Sequence, residues 1–174
     1  MLRKLRSRLH HYLLRKKLKG AHPVRQTVNY ERAKTIAVIF DATLEENLNT
    51  AKKFNQFLLG INKQPHFFAF VNHNRQMGSL PFTFISRRQL SWLFFPEHSS
   101  VEELISGSYD LLINLCTEEC LPLEYISALS SATYRAGRFI PEKTYCHDLM
   151  IQMNGKKDMN YLIEQLNEYL KMIK

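Results

Sequence analysis

The sequence predicts an α/β domain built on a mostly parallel sheet. Three observations carry this prediction. Apolar, β-branched runs recur from residue 35 onward and stay hydrophobic at consecutive positions, as in strands covered on both faces. Segments with helical periodicity separate these runs. The chain has 174 residues, of which 45% are hydrophobic and 23% charged, ordinary values for one globular domain.

The first element is residues 1–20, MLRKLRSRLHHYLLRKKLKG. It holds no acid and no proline, so helix propensity is good. Leu2, Leu5, Leu9, Tyr12 and Leu13 share one face at helical spacing, while Leu14 and Leu18 fall off that stripe. Gly20 and then Pro23 stop the helix. Residues 21–34 read as a linker, or as a strap lying on the domain. TIAVIFD (35–41) is a central strand. Thr43 and Glu46 have capping-box spacing ahead of a helix over 44–59, which ends near Gly60. HFFAFVN (66–72) is a second buried strand, followed by a loop with Asn72, Asn74, Gly78 and Pro81. FTFI (82–85) is a third strand. Residues 86–95 form a helical turn carrying Trp92, Phe94 and Phe95, and Ser100 caps a helix through Ile105, ended by Gly107. YDLLINL (109–115) is the fourth strand, and PLEYISALSSA (122–132) is a helix with proline in its first turn. RAGRFI (135–140) and DLMIQM (148–153) are short strands, the latter near an edge. Asp158 caps a last helix whose apolar face is Leu162, Leu166, Tyr169, Leu170 and Ile173. Alternating strands and helices give a Rossmann-like three-layer αβα sandwich of five or six strands over 35–174, preceded by the basic helix and linker of 1–34.

Charge divides the chain at the same place. Residues 1–34 hold eleven Lys/Arg and one acid, Glu31, for a net +10. Residues 35–174 hold thirteen Lys/Arg and fifteen Asp/Glu, for a net −2. The polyanion-binding candidates are therefore Arg3, Lys4, Arg6, Arg8, Arg15, Lys16, Lys17 and Lys19. An anionic membrane surface and nucleic acid both reward such charges. Packing of the helix on the domain or on a second subunit, with the charges merely solvated, is the third possibility. No apolar run approaches the length of a membrane span and no secretory signal is evident. Three cysteines without framework spacing suggest a reducing compartment. A cytoplasmic protein is expected, peripheral to the inner membrane face if the helix binds lipid.

In an open parallel sheet, ligands bind beyond the carboxyl ends of the strands where the strand order reverses. If the first and fourth strands are neighbours, Asp41, Thr43, Asn114, Thr117 and Glu118 meet there. They are the crevice candidates, and a small hydrolase or transferase would use them. No base–nucleophile pair is evident, so no catalytic residue is assigned, and a non-catalytic binding or adaptor domain is the leading expectation. The string IFDATL differs from the D-x-D-G-T-L of haloacid-dehalogenase-type phosphatases, because Ile39 stands where their nucleophile would be. No glycine-rich phosphate loop is present, so no nucleotide cofactor is expected. Cys116, Cys120 and Cys146 read as buried thiols rather than as zinc ligands with His147, and no metal is expected. Arg87 with Arg88, and Arg135 with Arg138, could form anion contacts, but they read first as surface charge near strand ends. Trp92, Phe94 and Phe95 read as packing rather than a base-stacking platform.

Several strings together, IAVIFDAT (36–43), RRQLSWLFFP (87–96), the stretch 109–139 and DLMIQM with its following helix, resemble a small uncharacterised bacterial domain family. The resemblance spans nearly the whole chain and implies domain boundaries but no activity or cofactor. Residues 109–139, ending in R-x-G-R, are also similar to the N-terminal half of heptosyltransferase-type glycosyltransferases. Those enzymes bind the nucleotide sugar in a second Rossmann-like domain that a chain of this length does not hold. The resemblance implies an acceptor-side half without a donor site, and argues against transferase activity.

Overall fold

A computed structural model describes residues 2–20, 23–73 and 80–173. His22, Asn74 and Gly78 lie outside the described residues. Five helices are described, α1 (Leu2–Leu18), α2 (Glu45–Gly60), α3 (Ser99–Ser106), α4 (Leu121–Leu129) and α5 (Met159–Met172), together with six strands. The strands are β1 (Thr35–Asp41), β2 (Gln64–Val71), β3 (Thr83–Ser86), β4 (Leu111–Asn114), β5 (Tyr134–Arg138) and β6 (Leu149–Ile151). They form one sheet in the order β3-β2-β1-β4-β5-β6. Every neighbouring pair is parallel. The Rossmann-like α/β sandwich expected from the sequence is thus present, with its basic helix in front. The order reverses between β1 and β4, which places the switch point where Asp41 and Leu115 leave the sheet.

Alternation along the strands builds two cores. Ile36, Val38 and Phe40 of β1 face α2, α5 and the segment before β1, joined there by Phe54, Leu58, Leu162 and Leu166. Ala37 and Ile39 face the other way, against α3, α4 and α1, with Val101, Leu104, Leu123 and Ile126. Burial on both faces explains why β1 and β4 read as unbroken apolar runs.

The charge boundary at residue 34 is not a break in packing. Val28, Tyr30 and Ala33 of the strap are buried in the first core. The Tyr30 amide donates to the Leu170 carbonyl (3.2 Å), and the Asn29 side chain donates to the Ile173 carbonyl (2.8 Å). Leu14 of α1 is fully buried in the second core. The docked side of α1 is His10, Leu14 and Leu18, spaced by four residues, and not the Leu2–Leu5–Leu9–Tyr12 stripe.

Asp158 caps α5, accepting from the Asn160 amide at 2.8 Å. β6 is the edge strand expected. The Thr43–Glu46 capping box does not form. Leu44 is the N-cap of α2, and Thr43 Oγ1 instead accepts from the Asn72 amide at 2.8 Å, tying the end of β1 to the end of β2. His98, not Ser100, caps α3. The segment after β3 begins as a 3-10 turn at Arg87–Gln89. A bridge from Leu90 to Pro96 then closes a loop in which Phe94 sits at φ 63°, a rare conformation for a bulky residue.

Candidate functional site

The carboxyl ends of β1, β2 and β4 open into a crevice of about 260 Å3. Asp41 ends β1, and its Oδ1 accepts from the Thr43 amide at 2.8 Å. This short turn holds the carboxylate at the rim. Asn72 follows β2, Arg87 follows β3, and Glu119 comes from the β4–α4 loop. The remaining wall is supplied by α1, whose Arg3 and Arg6 lean over the strand ends. A second recess of about 460 Å3 shares Arg3, Asp41, Asn72, Glu119 and Cys120 with the first.

Four of the five crevice candidates meet in that second recess, namely Asp41, Thr43, Thr117 and Glu118. The ammonium of Lys157 pairs with Glu118 and holds its carboxyl below the usual carboxylate range. Asn114 does not join them. It is buried beneath the crevice, donates to Ser127 Oγ at 3.2 Å and accepts from the Cys116 amide at 3.0 Å. Its role is to fix β4 against α4 and to turn the chain toward Cys116. Cys116, Cys120 and Cys146 are free, buried thiols. Burial first, and then Cys116, push the Cys120 thiol well up, away from the thiolate a nucleophile needs.

The eight basic residues of α1 divide by direction. Arg6 donates through Nε to the Trp92 carbonyl at 2.8 Å, and its guanidinium lies over the Phe94 ring at 4.2 Å. Arg15 donates to the Glu142 carbonyl at 2.9 Å and sits over Tyr145. Lys17 donates to Tyr125 Oη at 3.1 Å. Arg3 lines the crevice. Lys4, Arg8, Lys16 and Lys19 make no hydrogen bond or ion pair with other described residues, and all four are exposed. Of the aromatic cluster, Phe95 stacks on His10 (4.5 Å) inside the α1 interface, whereas Trp92 remains mostly exposed.

Two charged clusters without a sequence signal are present, one beside the site and one at the far end of α4. Lys143 is buried and donates to Glu124 Oε2 at 2.7 Å and to Glu119 Oε1 at 2.9 Å. Burial opposes its charge, but the two carboxylates outweigh that and raise its pKa. Ligand atoms of His11, Glu119 and Glu124 lie within 4.8 Å of one another, a spacing a metal could use. The Lys143 ammonium already supplies the positive charge between the two glutamates. The second cluster corrects the reading of Arg135 as surface charge. Arg135 is buried, pairs with both oxygens of Asp148 (2.9 and 3.0 Å) and donates to the Ser127 and Ala128 carbonyls at the end of α4. It locks α4 to β5, with each of its three nitrogens engaged. Neither cluster has a sequence signature, because its members are brought together only by the fold.

Fold and crevice together define a Rossmann-like α/β domain whose strand ends are roofed by a basic helix. The chain belongs to a family of unknown function, DUF6913, whose model matches residues 6–173. That match includes most of α1 and the strap, so both are part of the family's unit. No curated protein matches the chain.

Proposed function

We propose that this protein is a binding domain that attaches to an anionic membrane surface through the outward side of α1. One observation carries the reading. The helix docks on the body by His10, Leu14 and Leu18, and this turns Leu2, Leu5 and Tyr12 outward at 62%, 61% and 66% exposure. Leu9 lies on the same side, the unengaged Lys4, Arg8 and Lys19 run along one edge, and Lys16 follows the stripe one turn beyond Tyr12. An apolar stripe edged by cations fits the boundary between headgroups and acyl chains. Each such cation contributes about 1 kcal/mol at an anionic leaflet, and the leucines add apolar burial. No described helix is long and apolar enough to cross a membrane, so attachment would be in the plane of the surface.

The test is co-sedimentation of the full chain with phosphatidylglycerol and phosphatidylcholine vesicles. Binding to the first, weak binding to the second, and weakening by salt are expected. Leu5→Glu with Leu9→Glu should abolish binding without unfolding the protein, since both side chains are at the surface. Absence of binding to phosphatidylglycerol sinks the reading. Salt-sensitive binding to RNA that ignores the two leucine changes would assign the cations to nucleic acid instead, because phosphate contacts need no apolar stripe.

A further inference from the structure

The inward side of α1 has a separate task. We propose that the strand-end crevice binds a small phosphorylated sugar or polyol, with its phosphate on Arg3, Arg6 and Arg87 and its hydroxyl groups on Asp41 and Asn72. The charge inventory is the first argument. Three guanidiniums line the crevice against two carboxylates, Asp41 and Glu119. Glu119 is already engaged by Lys143 at 2.9 Å, so the crevice carries excess positive charge. Arg3 and Arg87 make no side-chain hydrogen bond or ion pair with any described residue, and Arg6 uses Nε and Nη2 on one carbonyl. Their donors suit the oxygens of a phosphate, which guanidinium binds in pairs of charge-assisted bonds.

The second argument is the opposite chemistry on the facing wall. Asp41 uses Oδ1 on a local amide and keeps acceptor capacity for hydroxyl donors. Asn72 lines the crevice beside it, its backbone amide is fixed by Thr43, and its side chain makes no hydrogen bond with a described residue. Asp41 and Asn72 therefore offer acceptors and donors opposite the cations. A fully anionic ligand would be repelled by Asp41, whereas a phosphate ester with neutral hydroxyls satisfies both walls. Size is the third argument. At about 260 Å3 the crevice is smaller than the roughly 300–1,000 Å3 of sites for drug-sized ligands. Leu90 and Phe94 give it one apolar side. Phe94 takes its φ of 63° in the loop that also carries the Trp92 carbonyl bound by Arg6. Backbone strain of this kind concentrates at ligand sites. Because two of the three guanidiniums belong to α1, an occupied crevice would hold the helix onto the body.

The experiment is calorimetric titration of the full chain with ribose 5-phosphate, inorganic phosphate and ribose. Hydrogen exchange of α1 is followed in parallel. Ribose 5-phosphate should bind more tightly than phosphate, ribose should not bind detectably, and α1 should exchange more slowly in the complex. Arg87→Ala should weaken ribose 5-phosphate by about 10- to 100-fold, the loss expected for a hydrogen-bonded charge. Asp41→Asn should weaken ribose 5-phosphate but leave inorganic phosphate as tight or tighter, since it removes a hydroxyl acceptor together with a charge that repels anions. Arg87 is exposed, so its loss should leave the melting temperature of the free protein unchanged. Failure of both ribose 5-phosphate and phosphate to bind overturns the proposal, as does binding that Arg87→Ala leaves intact. Loss of vesicle binding in Arg87→Ala, with no soluble phosphate bound, also overturns it and would make a lipid headgroup the ligand. Vesicle binding that survives Arg87→Ala keeps the membrane reading separate from this one.

Discussion

His147 illustrates how much a single side chain depends on its surroundings. Its ring lies against Gly137, where a Cβ would come within 2.6 Å of the imidazole. Nδ1 is 3.1 Å from the Arg138 carbonyl, and Nε2 is buried without a partner among the described residues. Burial is the main cause that lowers its pKa to about 4, and the nearby Arg135 and Arg138 charges lower it further. The folded protein therefore holds the neutral ring, while the unfolded chain protonates near the ordinary histidine value of about 6.5. Stability from this group is complete above that value and falls as pH drops toward 4, by on the order of 1 kcal/mol per pH unit. Urea unfolding at pH 7 and pH 5 should show the loss, and His147→Asn should flatten the slope. An unchanged slope would remove His147 as the cause. Burial of the Cys146 thiol is legible from its residue type, but the burial of His147, its contact with Gly137 and its unpartnered nitrogen are not. They arise from β5 and the loop before β6, which the sequence does not place side by side.

At the scale of the element, α1 shows what periodicity reports and what it omits. The hydrophobic pattern locates the strongest apolar stripe, Leu2, Leu5, Leu9 and Tyr12, and that stripe faces outward. The docked face is weaker in composition, with one fully buried leucine, a buried histidine and a half-buried leucine. A histidine scores as polar, so its place in an interface against Phe95 and Tyr125 leaves little trace in the sequence. Leu14→Ala should cost about 2–4 kcal/mol if the helix stays docked. If the docking free energy is smaller than that, the helix will leave first. Trypsin should then cut the lysines and arginines of α1 before the body unfolds. Resistance of α1 to trypsin, with no fall in the thermal midpoint, would show that Leu14 does not anchor it. β1 and β4 were legible for the opposite reason. They are apolar at nearly every position because both faces are covered, and no choice of face was needed.

For the molecule as a whole, the sandwich was legible and the site only in part. Strand order is a tertiary fact, so the meeting of Asp41 with Thr117 and Glu118 followed only from assuming that β1 and β4 are neighbours. Arg3 and Arg6 are polyanion-binding candidates in the sequence, and Arg87 reads as surface charge that could contact an anion, but nothing there joins the three into one wall, since Arg6 meets Trp92 across 86 residues of chain. Stability should be graded across the fold. Amides of β1, paired on both sides and buried on both faces, should exchange slowest, and those of α1 fastest among the helices. Native-state hydrogen exchange measures this ranking, and equal protection of α1 and β1 would contradict it.

The burial of Leu14 against α4 also sets an order of events during synthesis. Roughly a hundred residues separate α1 from α4, so on the order of ten seconds of elongation pass before the partner surface exists. During that interval the docking leucines and the outward stripe are uncovered together, on a helix that still lacks the tertiary packing from which most helical stability comes. If α1 binds lipid as proposed, a membrane near the ribosome would fold it first and leave the body to assemble beneath a helix already in place.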